Sequence, residues 1–163
     1  MKQGAIAFIT NEDRTKFLIQ RKDSGYKYEN QHRTICFFGG HVENNETPLE
    51  AILRELKEEI GHAPTVEAAV AYITSQARVA RVLKSIVLES QNKPGTFFEL
   101  FMFDVILSDK VFDSLQEVLY DEGVILEGYG EIVTKSYLDF ICNKHSIDFF
   151  SRLSQAYKKF FNV

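Results

Sequence analysis

The segment from Gly40 to His62, GHVENNETPLEAILRELKEEIGH, constrains this chain more than any other. Thr47 suits an N-cap, Pro48 the first helical position, and Glu50 completes a T-x-x-E capping box. Gly61 stands where a left-handed residue ends a helix. Between them Leu49, Ile52, Leu53, Leu56 and Ile60 recur at the spacing of one apolar stripe, so a helix with one buried face is expected. Glu55, Glu58 and Glu59 centre roughly opposite that stripe, and their spacing puts three carboxylates on one side. The arrangement is locally unfavourable. Like charges at i,i+4 cost roughly 0.2–0.5 kcal/mol per pair, and negative charge near a helix C-terminus opposes the macrodipole. Arg54, one turn from Glu50 and Glu58, and nearby Lys57 would make this a solvated, ion-paired face. A bound divalent cation would instead turn the repulsion into coordination, and broken local rules of this kind mark functional sites.

Around this helix the chain reads as one domain over residues 1–163. Its 163 residues, 45% of them hydrophobic, can bury one substantial core. A formal charge of −4 shows no basic footprint, so a nucleic-acid partner is not expected. Cys36 and Cys142 lie far apart in apolar surroundings and read as buried free thiols, which suits a reducing cytoplasm. No stretch is long enough to cross a membrane, and the N-terminus lacks the charged-then-apolar order of a signal peptide.

Strands and helices alternate without a clear break. Gly4–Thr10 and Lys16–Gln20 flank the polar turn Asn11–Arg14 and predict a hairpin. Asp23–Arg33 reads as a loop, and Thr34–Phe38 as a buried strand leading into Gly39-Gly40. Val66–Thr74 fits a strand, Gln76–Ser90 fits either period, and Asn92–Gly95 is a turn. Thr96–Leu107, TFFELFMFDVIL, is the strongest strand signal. Phe112–Tyr120 and Ser136–Cys142 read as helices with the strand Tyr129–Thr134 between them. Ser146 is placed to cap a last helix with Phe149, Phe150, Leu153, Tyr157 and Phe160 on its apolar face. The pattern alone supports an α/β or α+β fold.

The full spacing is G-x5-E-x7-R-E-L-x-E-E-x-G-x, with Gly40, Glu46, Arg54, Glu55, Leu56, Glu58, Glu59 and Gly61 at the fixed positions. It resembles the Nudix box, the signature of hydrolases that cleave a diphosphate linked to another moiety. Two positions depart from the family pattern: His62 replaces the usual aliphatic residue, and Phe38 precedes the glycine pair where many members have proline. The resemblance implies a Nudix-type α/β/α sandwich with a mixed sheet.

It also implies a metal-dependent hydrolase in which water attacks phosphorus in a nucleotide diphosphate linkage. A nucleoside triphosphate is the favoured substrate; nucleotide sugars, dinucleoside polyphosphates and capped RNA ends stay open. The carboxylate donor set favours Mg2+, with Mn2+ as a substitute. By the same resemblance Glu55, Glu58 and Glu59 are metal ligands, Glu58 and Glu59 catalytic, and the carbonyl of Gly39 or Gly40 an added ligand. Gly40, Glu46 and Arg54 support the site, with Arg54 bridging to Glu46. A further glutamate from a downstream loop is expected as ligand or general base: Glu127, ahead of Gly128, or else Glu122. Arg21 and Lys22 follow an apolar strand where family members place residues facing substrate phosphates. His41 reads as a surface histidine within reach of the site. Tyr26 and Tyr28 are suited to stack on a base or line the core, and Phe37 and Phe38 to the core. The expected partner is a small nucleotide, with a homodimer as a compatible assembly. The competing class is a non-catalytic Nudix-fold nucleotide sensor, which would be expected to lose box glutamates.

Overall fold

A computed structural model describes residues 1–22, 29, 32–60, 78–90, 93–113, 128–144 and 151–163. The strands are β1 (Lys2–Thr10), β2 (Lys16–Lys22), β3 (Ile35–Cys36), β4 (Phe38–His41), β5 (Arg78–Glu89), β6 (Phe97–Ile106) and β7 (Gly128–Thr134). The helices are α1 (Pro48–Ile60), α2 (Lys135–Asn143) and α3 (Ser151–Phe161), and residues 109–113 are also helical.

The strands form one mixed seven-stranded sheet. Its path runs β3-β2-β1-β6-β5, with β4 added to β1 and β7 to β2. The expected hairpin is present. Asn11 N–H donates to the Lys16 carbonyl at 3.2 Å, and Ile9 pairs with Leu18 and Thr10 with Phe17. β1 runs parallel to β6 from Lys2 against Phe98 to Thr10 against Ile106. The segment whose apolar residues fit either period, 76–90, contains β5, which is antiparallel to β6.

One expectation is corrected at 34–38, where the single predicted strand is two. Ile35–Cys36 pairs with β2, whereas Phe38–His41 pairs with β1 along Ala7 to Gly4. β1 and β2 are paired at their turn end and hold different neighbours beyond it, so the chain changes partner at Phe37. Gly39 and Gly40 thereby lie inside a strand. A side chain at Gly39 (φ 143°) would put its Cβ 2.1 Å from the Ala5 carbonyl oxygen, a space only glycine fits.

Each face of the sheet carries its own core. Strand alternation sends Ala5, Ala7, Ile9, Leu18, Phe38, Phe103 and Val105 to one face, where Ala51, Ile52 and Leu56 of α1 cover them. The other face packs Phe8, Phe17, Ile19, Phe37 and Met102 under Leu138, Ile141 and Cys142 of α2 and Leu153, Tyr157 and Phe160 of α3. Phe37 and Phe38 thus enter opposite cores, as their succession along the chain requires. The architecture is the α/β/α sandwich with a mixed sheet. Among the described residues no helix is long and apolar enough to cross a membrane.

Two further corrections concern helices. Leu49, expected in the buried stripe of α1, is 44% exposed, while Ala51 is fully buried. The first turn carries the cap and lies ahead of the stretch that meets the sheet. α2 starts one residue earlier than expected, at Lys135, because the Thr134 hydroxyl accepts from the Tyr137 N–H as N-cap. Val66–Thr74, Ser146, Phe149, Phe150 and the later part of 112–120 lie outside the described residues.

Candidate functional site

The capping box forms as the sequence predicts. Thr47 N–H donates to Glu50 Oε2 at 2.8 Å, and Glu50 N–H donates to Thr47 Oγ1 at 3.2 Å. α1 is thereby started at a fixed residue. Its buried face lies on β1 and β4, and its polar side hangs over the edge carrying Gly39-Gly40.

The glutamates meet this strand. Gly39 N–H donates to Glu59 Oε2 at 3.0 Å. A Cβ on Gly40 would sit 2.3 Å from Glu55 Oε1, so the Glu55 carboxylate occupies the space that glycine leaves open. Glu58 is the outermost of the three, with its side chain 58% exposed.

Arg54 lies among these carboxylates. Its Nε donates to Glu46 Oε1 at 2.9 Å and its Nη2 to Glu46 Oε2 at 3.1 Å, a two-pronged contact with one carboxylate. Nη1 donates to Glu55 Oε1 at 2.8 Å and to Glu58 Oε2 at 3.2 Å, and Nη2 also reaches the His41 carbonyl at 2.9 Å. One guanidinium thus ties the loop before α1, the end of β4 and two carboxylates of the helix face. Hydrogen bonding by Glu46, against the opposing effect of burial, raises the Arg54 pKa further above its ordinary value. The same contact, with the Glu43 N–H at 3.0 Å, holds the Glu46 carboxyl below the usual range.

The structure therefore brings together Gly39, Gly40, Glu46, Arg54, Glu55, Glu58 and Glu59. It separates Arg21 from Lys22. Arg21 lies on the α2 and α3 face, its Nε donating to Glu131 Oε2 at 2.6 Å and its Nη1 to the Arg33 carbonyl at 2.9 Å. Lys22, one residue on, shares the α1 face with Leu18 and Gln20 by strand alternation. It is 5% exposed, and its Nζ donates to Gln20 Oε1 at 2.8 Å. Glu122, Glu127, Tyr26 and Tyr28 lie outside the described residues. Sequence reasoning missed the Gly39 amide as a donor to Glu59, the His41 carbonyl as an acceptor for Arg54, and Gln20 as the partner of Lys22. Only the last carried a signal, two polar residues at alternate positions of an otherwise apolar strand.

Among the described residues no three carboxylate, imidazole or thiol groups converge as a metal-binding cluster. As placed, the box carboxylates spend oxygens on Arg54 and on the Gly39 amide. The donor set itself fits a hard divalent cation, being all carboxylate oxygen on one helix face. Such a cation would compete with Arg54 for Glu55 and Glu58.

Fold and site together define an α/β/α sandwich that presents a carboxylate-bearing helix to a glycine pair. The model of the NUDIX domain matches residues 1–102. Over 62 residues the chain is 36% identical to the 8-oxo-dGTP diphosphatase of Escherichia coli (strain K12), a match spanning 38% of this chain and 45% of that protein. It therefore covers less than half the length of this curated relative. The MutT protein from Methanosarcina mazei Go1 is similar in structure, with a TM-score of 0.60 at 17% identity, covering 99% of this chain and 93% of that one. The Ap4A hydrolase of C. elegans, in a binary complex, gives a TM-score of 0.56 at 15% identity, covering 99% and 98%. The chain belongs to the Nudix hydrolase family.

Proposed function

We propose that this protein is a metal-dependent hydrolase in which water attacks phosphorus in the diphosphate linkage of a nucleotide, with a nucleoside triphosphate preferred. The observation that carries this reading is Glu55 at Gly40 and Glu59 on the Gly39 amide, with Arg54 as the counter-charge of Glu55 and Glu58. The relatives' names support the class, since one is a diphosphatase of 8-oxo-dGTP and another a hydrolase of Ap4A.

Glu55, Glu58 and Glu59 would hold the cation, Mg2+ or its substitute Mn2+, with a backbone oxygen of Gly39 as a further ligand. When bound, a divalent cation neutralises phosphate oxygens and lowers the pKa of attacking water. Glu58 and Glu59, with Glu127, are the residues assigned to the chemistry. Arg54 and Glu46 hold the loop and Glu55 in place, and Gly40 leaves room for the Glu55 carboxylate. Arg21 and Lys22 are the basic residues proposed for the substrate phosphates; Lys22 is the one on the α1 face, bonded to Gln20, and Arg21 is bonded to Glu131 on the other.

The test is a panel of nucleotides with Mg2+, scored for released phosphate and pyrophosphate. Glu58→Gln and Glu59→Gln should lower kcat by at least roughly a hundredfold while leaving thermal unfolding unchanged, because neither side chain belongs to a core. Near-native turnover in both variants would refute the assignment. Tight nucleotide binding without hydrolysis of any panel member would favour the sensor class.

A further inference from the structure

On the face of the sheet covered by α2 and α3, away from the box glutamates, polar groups meet inside the core. Alternation places Phe8 and Thr10 of β1 on this face, and the parallel register sets Phe8 against Asp104 and Thr10 against Ile106 of β6. Thr10 and Asp104 are therefore diagonal neighbours, and they are 0% and 4% exposed. Arg14 reaches them from the turn between β1 and β2. Its φ of 61° is left-handed, uncommon for a residue with a side chain, and its N–H donates to the Asn11 carbonyl at 3.1 Å. Its Nη2 pairs with Asp104 Oδ2, and its guanidinium carbon lies 5.8 Å and 5.2 Å from the ring centroids of Phe160 and Phe161 at the end of α3.

This joint leaves three buried atoms without a hydrogen bond among the described residues: Thr10 Oγ1, Arg14 Nε and Asp104 Oδ1. An unpaired buried polar group is costly, so each calls for a partner. The atoms themselves define it. Nε offers one donor, Oδ1 accepts, and the hydroxyl does either. A cation would be repelled by the Arg14 guanidinium and an anion by the Asp104 carboxylate, so the partner is neutral. Two residues of rise and one strand spacing put the backbones of Thr10 and Asp104 roughly 8 Å apart. Their side chains narrow that span, and a water bonded at both ends bridges roughly 4.5 Å. Closing Nε directly onto Oδ1 would satisfy two of the atoms and leave Thr10 Oγ1 orphaned. A water satisfies all of them, with the number of bonds usual for a buried water, and holding it costs less than leaving them unpaired.

We infer that one buried water molecule binds at this joint, held by Arg14 Nε, Asp104 Oδ1 and Thr10 Oγ1. It fastens the β1–β2 turn to β6 beneath the end of α3, whose Phe160 and Phe161 rings stand against the same guanidinium. The site is independent of the proposed hydrolase reading.

A high-resolution crystal structure of the full chain should show one water within about 3.2 Å of all three atoms. In solution, Arg14 Hε should give a nuclear Overhauser contact with a long-lived water. Thr10→Val keeps the side-chain shape and removes the hydroxyl. It should speed solvent exchange of that Hε roughly fivefold, the loss of one hydrogen bond to the water, and Thr10→Ser should restore the slow exchange. Arg14 Nε bonded directly to Asp104 with no water beside Thr10, an ion in place of the water, or unchanged exchange in Thr10→Val would overturn the inference. Should Thr10→Val fail to fold, the wild-type crystal structure decides the matter alone.

Discussion

At the scale of single residues, Gly39 and Gly40 do different work although they are neighbours. Gly39 is demanded by the backbone, since an added Cβ meets the Ala5 carbonyl oxygen and the Ile6 Cα. Gly39→Ala should cost about 3 kcal/mol or more, combining a strained φ with overpacking, and a urea melt would read it. At Gly40 the added Cβ meets only the Glu55 carboxylate, the far end of a flexible side chain. Gly40→Ala should therefore keep its melt close to wild type while turnover falls, because Glu55 is pushed aside. Equal destabilisation by both variants would count against this division. The sequence already marks the glycines and the three glutamates by spacing. It did not separate Arg21 from Lys22, because the expected strand ended at Gln20, and its extension to Lys22, where alternation parts the two, is held by β7 far along the chain.

At the scale of elements, the loop and first turn of α1 carry a pH dependence of definite sign. Glu46 is held below its ordinary pKa of 4.5 chiefly by Arg54, and Glu50 below the same value chiefly by the Thr47 N–H and then its hydroxyl. A lowered folded pKa contributes stability that is present above the unfolded value and is lost as pH falls through the folded one. Thermal melts should thus show stability falling as pH drops below about 4.5, and Glu46→Gln with Glu50→Gln should flatten that fall; an unchanged slope would exclude both groups as its source. The capping box is legible because its partners are three residues apart. The division of 34–38 into β3 and β4 is not, since nothing local reveals that the chain exchanges one partner strand for another at Phe37.

At the scale of the whole molecule, the sheet separates the face of the candidate site from a structural one. On the structural face Cys142 is 1% exposed in the core under α2 and α3, and burial pushes its thiol up to about 11. A disulfide reagent at neutral pH should leave Cys142 unmodified in the folded protein and label it on denaturation; rapid labelling of the native state would mean that α2 and α3 open readily. The aromatic content of this core was visible in Phe149 to Phe160 as a helical stripe, and Leu153, Tyr157 and Phe160 are buried as that stripe requires. What the pattern did not show was the partner across the sheet. Phe8 meets Phe37 and Phe160 with ring centroids 4.8 Å apart in each pair, contacts between residues distant in sequence.

The parallel pairing of β1 with β6 has a consequence in time as well as in space. β4, which bears the glycine pair, leans on one edge of β1, and the other edge of β1 is filled by β6, whose strand begins at Phe97. During synthesis the whole Gly40–His62 segment therefore emerges from the ribosome well before the strand that completes its support. Pairings this distant along a chain are slow to close, because loop entropy must be overcome first. α1 can form early on its own caps, yet its carboxylates would then face a strand that is not held. Assembly of the site is thus a late event in folding, set by the arrival of a strand that contributes no residue to it.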